Sequence, residues 1–145
     1  MFENVTVKEW MSTPAITCAP NTPISEAHQI MKEKQVRRLI VADKDKPVGV
    51  VTIGDVREAS PSDAVTLSIW ELNYLWAQLT VSKVMTNNLF TVSPDTPILD
   101  AAELMLEHKV SGLPVVEANK IVGVITESDI FRMLVRSRIA QKTTT

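Results

Sequence analysis

The feature that most limits what this chain can fold into is an internal repeat. Shifted against itself by 74 residues, the stretch 6–55 aligns with 80–129 without a gap, and about twenty of the fifty pairs are identical. Met11 falls on Met85, Thr17 on Thr91, Pro20 on Pro94, and Thr22-Pro23-Ile24 on Thr96-Pro97-Ile98. Ala27, Met31, Glu33, Val36, Leu39 and Val41 fall on Ala101, Met105, Glu107, Val110, Leu113 and Val115. A duplication of this extent in 145 residues implies two copies of one supersecondary unit sharing a core. The expected division is a first repeat over 1–59, a linker with a helix over 60–79, a second repeat over 80–140 and a frayed tail over 141–145.

Each copy reads as the same run of elements. It opens on a short helical turn, where Thr6 and Glu9 have capping-box spacing in the first copy. A brief extended piece follows, Ile16-Thr17-Cys18 or Phe90-Thr91-Val92. A helix comes next, with Thr22 or Thr96 as the expected N-cap and proline at the first helical position. It runs to about Lys34 or His108, with Ile24, Ala27, Ile30 and Met31, or Ile98, Ala101, Leu104 and Met105, at helical spacing. Two strands then pair through a turn of about four residues, Asp43-Lys44-Asp45-Lys46 or Glu117-Ala118-Asn119-Lys120. A last helix begins at Asp55 or Asp129, the second reaching about Ile139. The fold class is therefore α/β (α+β), two tandem β-α-β-β-α repeats. Between the copies, Ser60-Pro61-Ser62-Asp63 reads as a loop. After it, Ser68 and Glu71 have capping-box spacing. Ile69, Leu72, Trp76 and Leu79 form one stripe while Trp70 and Tyr74 lie on another side, a pattern that suits burial against both the chain's own core and a partner chain.

Bulk properties exclude several classes. A formal net charge of -2 and the lack of a basic block argue against nucleic-acid binding. The apolar runs fall far short of the roughly 20 residues that span a bilayer. Met1-Phe2-Glu3-Asn4 lacks the start of a signal peptide, and the single Cys18 allows no internal disulfide. The expectation is a soluble cytoplasmic protein.

The two copies share one signature. Val48-Gly49-Val50-Val51-Thr52-Ile53-Gly54-Asp55 and Val122-Gly123-Val124-Ile125-Thr126-Glu127-Ser128-Asp129 are apolar strands that end in Thr-x-x-Asp. With the Met-x-x-x-x-x-Thr-x-x-Pro start of each copy (Met11 to Pro20, Met85 to Pro94) and Val-Ser-Gly-Leu-Pro-Val-Val at 110–116, the chain resembles a tandem CBS (cystathionine β-synthase) domain pair, or Bateman module, over nearly its whole length. The stand-alone form, with a tryptophan-bearing helix between copies, is similar to acetoin-utilisation-protein-B-like members. The resemblance implies two sheets about a pseudo-twofold axis, two clefts between the repeats, homodimerisation and a regulatory ligand of the adenosine class. It further implies that the Asp129 cleft takes Pro14, Ile16 and Val36 from the first copy, and the Asp55 cleft takes Asn88, Phe90 and Val110 from the second.

The residue types suit such a ligand. A carboxylate can accept both hydroxyls of a ribose, which fits Asp55 and Asp129. Thr52 and Thr126 add a hydroxyl at the strand end, and the helix start favours phosphate. Ser128 stands where the other copy has Gly54, so the two sites need not share an affinity or a ligand. Arg37 and Arg38 stand where the second copy has Ser111 and Gly112, and adjacent guanidinium groups favour a phosphate-bearing AMP, ADP or ATP over cationic S-adenosylmethionine. Each residue also has a plainer reading. An Asp near a helix start caps it, Thr is at home at a strand end, and the arginines can be solvated or pair with Glu33.

Other candidates are weaker. His28 and His108 lack partners at metal spacing, Cys18 lacks a paired base, and no phosphate-cradling glycine loop or catalytic triad pattern exists. No catalytic residue, metal or resident cofactor is expected. The leading reading is a nucleotide sensor that relays a conformational change to an effector protein, neither a membrane protein nor an enzyme. The alternative is a ligand-independent dimerisation scaffold with vestigial clefts.

Overall fold

The structure, a computed structural model, describes residues 1–59, 69–87 and 89–144. The described chain forms two compact units that do not follow the repeat boundaries. One comprises Ile16–Leu89, the other Met1–Ala15 with Phe90–Thr145. The leading segment of each copy is thus built into the unit that holds the body of the other copy.

In the unit Ile16–Leu89, strand β1 (Thr17–Cys18) lies parallel to β2 (Arg38–Asp43), which pairs antiparallel with β3 (Lys46–Thr52). Helix α2 (Ile24–Lys34) covers the sheet because Ile24, Ala27 and Met31, spaced at turns of the helix, are all essentially buried. They pack with Cys18, Leu39, Val41, Val51, Val56 and Val81. Val81 arrives with the second copy's leading segment. That segment is stitched on by backbone bonds from Val81 N–H to the Thr22 carbonyl (2.9 Å) and by mutual bonds between Thr86 and Val50 (2.9 and 3.1 Å). Helix α3 (Ile53–Ala59) closes the unit on one side. From helix α4 (Ile69–Gln78) and the residue after it, Trp76 and Leu79 pack on the core, whereas Tyr74 is exposed. The remaining stripe residues Ile69 and Leu72, with Trp70, have side chains outside those described, as do the expected 60–63 loop and the Ser68 cap.

The second unit repeats this plan. Helix α1 (Val7–Trp10) belongs here, with Glu9 Oε2 accepting the Thr6 N–H at 2.7 Å in the expected capping box. Helix α5 (Ile98–His108) buries Ile98, Ala101 and Met105 against the β4 (Gly112–Glu117)–β5 (Lys120–Thr126) hairpin. Val7, Val92, Leu113, Val115, Ile125 and Met133 complete its core. In place of β1 there is a single parallel bridge, Val92 to Val115. Helix α6 (Glu127–Thr144) runs past the expected end at Ile139, so residues 141–144, expected as a frayed tail, continue the helix.

Three local expectations are corrected. The N-caps of α2 and α5 are Pro23, in extended conformation, and Pro97, rather than Thr22 and Thr96. The threonine hydroxyls instead accept the N–H groups of Ala19 and Ser93, both at 3.0 Å, and so brace the preceding turns. The hairpin turns have two residues, not four. Asp43 pairs with Lys46 and Glu117 with Lys120, leaving Lys44-Asp45 and Ala118-Asn119 at φ of 52° and 68°, and 52° and 65°. Two consecutive left-handed residues match the right-handed twist of the strands. The last helices begin at Ile53 and Glu127, two residues before the aspartates.

The glycine of the signature follows from the exchanged segments. A Cβ at Gly123 would stand 2.9 Å from the Ser12 carbonyl oxygen and 3.1 Å from Met11 Sδ. At Gly49 it would stand 2.4 Å from Met85 Sδ and 3.1 Å from the Thr86 carbonyl. The repeated Met-Ser/Thr pair crosses the repeated glycine, and only a hydrogen side chain permits that approach.

Candidate functional site

Each Thr-x-x-Asp element sits where a strand runs straight into a helix. The first helical N–H groups lack partners within the helix. In the first copy the Thr52 hydroxyl accepts the Asp55 N–H (3.2 Å), and Asp55 Oδ2 accepts the Thr52 N–H (2.9 Å). In the second, Thr126 and Asp129 do the same at 3.3 and 2.9 Å. The motif is therefore a capping box with Asp at the third helical position, one donor satisfied in each direction. The backbone before each helix is also fixed alike. Ile53 N–H donates to the Arg37 carbonyl (2.8 Å), and Glu127 N–H to the Ser111 carbonyl (3.0 Å).

What remains of each carboxylate differs. Asp129 is buried. Its Oδ2 also accepts the Thr126 hydroxyl (3.1 Å), and its Oδ1 accepts the Ser12 hydroxyl (3.0 Å) and an Arg132 N–H (2.7 Å). Asp55 is half-buried, and among the described residues no donor reaches its Oδ1. The repeat partner of Ser12 is Thr86, and that of Arg132 is Glu58, which is exposed and cannot donate.

Arg37 and Arg38 join the Asp55 element through the backbone. Arg38 is the register partner of Thr52, and Arg37 is exposed just before it. Thr52, Asp55, Arg37 and Arg38 thus lie in one unit, together with Ile16 and Val36, both half-buried against its core. Thr126, Ser128 and Asp129 lie in the other unit with Pro14, Phe90 and Val110. Ser128 and Pro14 are exposed, and Val110 packs on the core. Phe90 stacks on His108, centroids 3.6 Å apart and planes at 11°, so one ring face is already covered. Asn88 lies outside the described residues.

Sequence reasoning missed Ser12 and Arg132 as partners of Asp129. Arg132 had a signal, its i, i+3 spacing from the aspartate. Ser12 had none, being 117 residues away. Of the remaining candidates, Cys18 is buried in the first sheet, and loss of water around its thiolate pushes the thiol up to about 11. His28 lies 6.1 Å from the Trp76 ring. Among the described residues no three His, Cys, Asp or Glu side chains converge as metal ligands, and no helix is long and apolar enough to cross a membrane.

Comparison with known proteins gives a consistent answer. The family model described as CBS domain matches residues 7–62 and 81–136. The CBS domain-containing protein YhcV of Bacillus subtilis is 29% identical over 124 residues, which is 86% of this chain and 81% of that protein. Several archaeal relatives are much longer, and the chain spans only 23% and 25% of two of them. The CBS domain pair of MJ0100, solved in complex with 5′-methylthioadenosine and S-adenosyl-L-methionine, is 30% identical. It superposes with a TM-score of 0.76 over 92% of this chain and 98% of that one. CBSX2 in complex with AMP is 29% identical, with a TM-score of 0.75 and the same coverage. An acetoin utilization protein (AcuB) from Vibrio cholerae, 24% identical with a TM-score of 0.78 over 96% of both chains, shares the fold.

Proposed function

This chain belongs to the CBS domain family as a tandem pair, and from that premise we propose that it is a regulatory module whose ligand is an adenine nucleotide, AMP, ADP or ATP. One observation carries the reading. Asp55, held rigidly by its capping box, keeps one carboxylate oxygen without a protein donor among the described residues, next to the backbone that carries Arg37 and Arg38. A ribose presents two adjacent hydroxyl donors to such an oxygen, and the guanidinium groups carried by that backbone favour the phosphate that follows. The binding of S-adenosyl-L-methionine, 5′-methylthioadenosine and AMP by similar pairs supports the adenosine class. The two arginines favour the phosphorylated members over the sulfonium.

Binding stabilises the arrangement that the ligand prefers, and output passes to an effector protein. We propose further that the working form is a homodimer. Leu99 and Leu106 on α5, and Phe131, Leu134 and Val135 on α6, are large apolar side chains left exposed, the surface a second copy would cover. A melting screen with AMP, ADP, ATP, 5′-methylthioadenosine and S-adenosylmethionine tests the ligand. Phosphorylated compounds should raise Tm by mass action, with about 2.7 kcal/mol gained at a concentration 100 times Kd. No shift with any compound would favour the scaffold alternative. Light scattering tests the dimer, which Phe131→Glu should weaken.

A further inference from the structure

We propose that the two Thr-x-x-Asp elements are not equivalent sites, and that Arg132 is the residue that separates them by latching Asp129 shut. The inference rests on the nucleotide reading above and assigns it to one copy. A carboxylate offers about four lone-pair positions. Asp129 has all four engaged, by the Thr126 N–H, the Thr126 hydroxyl, the Ser12 hydroxyl and the Arg132 guanidinium. Among the described residues Asp55 has one engaged, by the Thr52 N–H.

The exchange that ligand binding would demand at Asp129 is unfavourable. Two neutral ribose hydroxyls would have to displace a cation from a carboxylate that is only 1% exposed. A charged donor holds a buried carboxylate more strongly than a neutral one, and removing the cation leaves a buried charge uncompensated. The first copy cannot form this latch, because Glu58 stands at the Arg132 position. Thr86 keeps the backbone pairing of Ser12 but sends no hydroxyl to Asp55. The second copy's element therefore works as a structural tie between the N-terminal segment, β5 and α6, while the first accepts the ligand.

Isothermal titration of the full chain with AMP counts the sites. Wild type should bind one equivalent, with Asp55→Ala weakening it at least tenfold and Asp129→Ala leaving it in place. Ser12→Ala/Arg132→Ala frees two lone-pair positions on Asp129 and should add a second, weaker equivalent that Asp129→Ala removes. Arg132→Gln, which keeps the packing stem, is the check if the double variant proves unstable; it should admit the same second equivalent more weakly. Two equivalents in wild type would overturn the latch. So would one equivalent that depends on Asp129, or a folded unlatched variant still binding only one. Binding by no variant, with AMP, ADP or ATP, would instead overturn the nucleotide reading itself and the assignment with it.

Discussion

Replacing Gly123 by alanine tests whether the signature glycine exists for the exchanged segment. The added Cβ would lie 2.9 Å from the Ser12 carbonyl oxygen, 3.1 Å from Met11 Sδ and 3.2 Å from Thr13 Cγ2. Relief requires the Ser12 backbone to retreat by about half an ångström, since ordinary carbon contacts start near 3.5 Å. That backbone is held by bonds of 2.8 and 3.1 Å to Val124, and its side chain by Asp129. Overpacking of this kind costs about 1–3 kcal/mol. The loss of unfolded-chain freedom on Gly→Ala returns about 0.4–1 kcal/mol. The midpoints of the two ranges leave a net destabilisation of about 1 kcal/mol, or roughly 2–4 °C in Tm for a chain of this size. Gly49→Ala differs in kind, because its nearest obstacle, at 2.4 Å, is the end of the Met85 side chain. Truncating that residue as well, in Gly49→Ala/Met85→Ala, should relieve most of the clash, whereas Gly123→Ala/Met11→Ala should not, with each double variant scored against its single methionine variant. Calorimetry gives the Tm values, and hydrogen exchange at the Val124 amide, which donates to Ser12, should quicken in Gly123→Ala. An unchanged Tm, or equal rescue by both methionine truncations, would refute the reasoning.

Further outcomes follow from the same geometry. Asp129→Ala removes a capping box together with the hydrogen bonds from the Thr126 and Ser12 hydroxyls and the Arg132 guanidinium, so urea unfolding should show a loss of about 2–3 kcal/mol, against about 1 kcal/mol for Asp55→Ala. Ala118→Gly should stabilise by about 0.5–1 kcal/mol, because φ of 52° strains alanine and not glycine; a loss in chemical denaturation would contradict the type of turn described. The Cys18 thiol, raised to about 11 by burial, ionises earlier in the unfolded chain than in the folded one. The folded state then binds the extra proton, and stability should fall as pH rises from about 9 to about 11. Cys18→Ala should flatten that slope, and a thiol reagent that modifies the native protein rapidly at pH 8 would contradict the burial.

The repeat, the order of elements and the strand-to-helix position of both Thr-x-x-Asp motifs were legible in the sequence. Each depends on local periodicity or on spacing of a few residues, which the chain states directly. Helix α2 could be read from Ile24, Ala27 and Met31 because burial on one face leaves that spacing. The hairpin turns were overestimated because neither carries the glycine that usually marks a two-residue turn. Lys44 and Ala118 are tolerated there because the pairing on both sides holds them.

By itself, then, the sequence determined that this protein is two copies of a β-α-β-β-α unit, and that each copy follows its last strand with a carboxylate near a helix start. Only the tertiary structure decided which unit each leading segment joins, and hence what reaches those carboxylates. Ser12 is brought to Asp129 across 117 residues by the strand-like bridge to Val124. No pattern in a linear chain encodes such a contact, because it depends on which sheet the N-terminal segment crosses. For that reason two motifs that match at both defining residues, Thr and Asp, end with one aspartate saturated and the other with an oxygen that no donor reaches among the described residues.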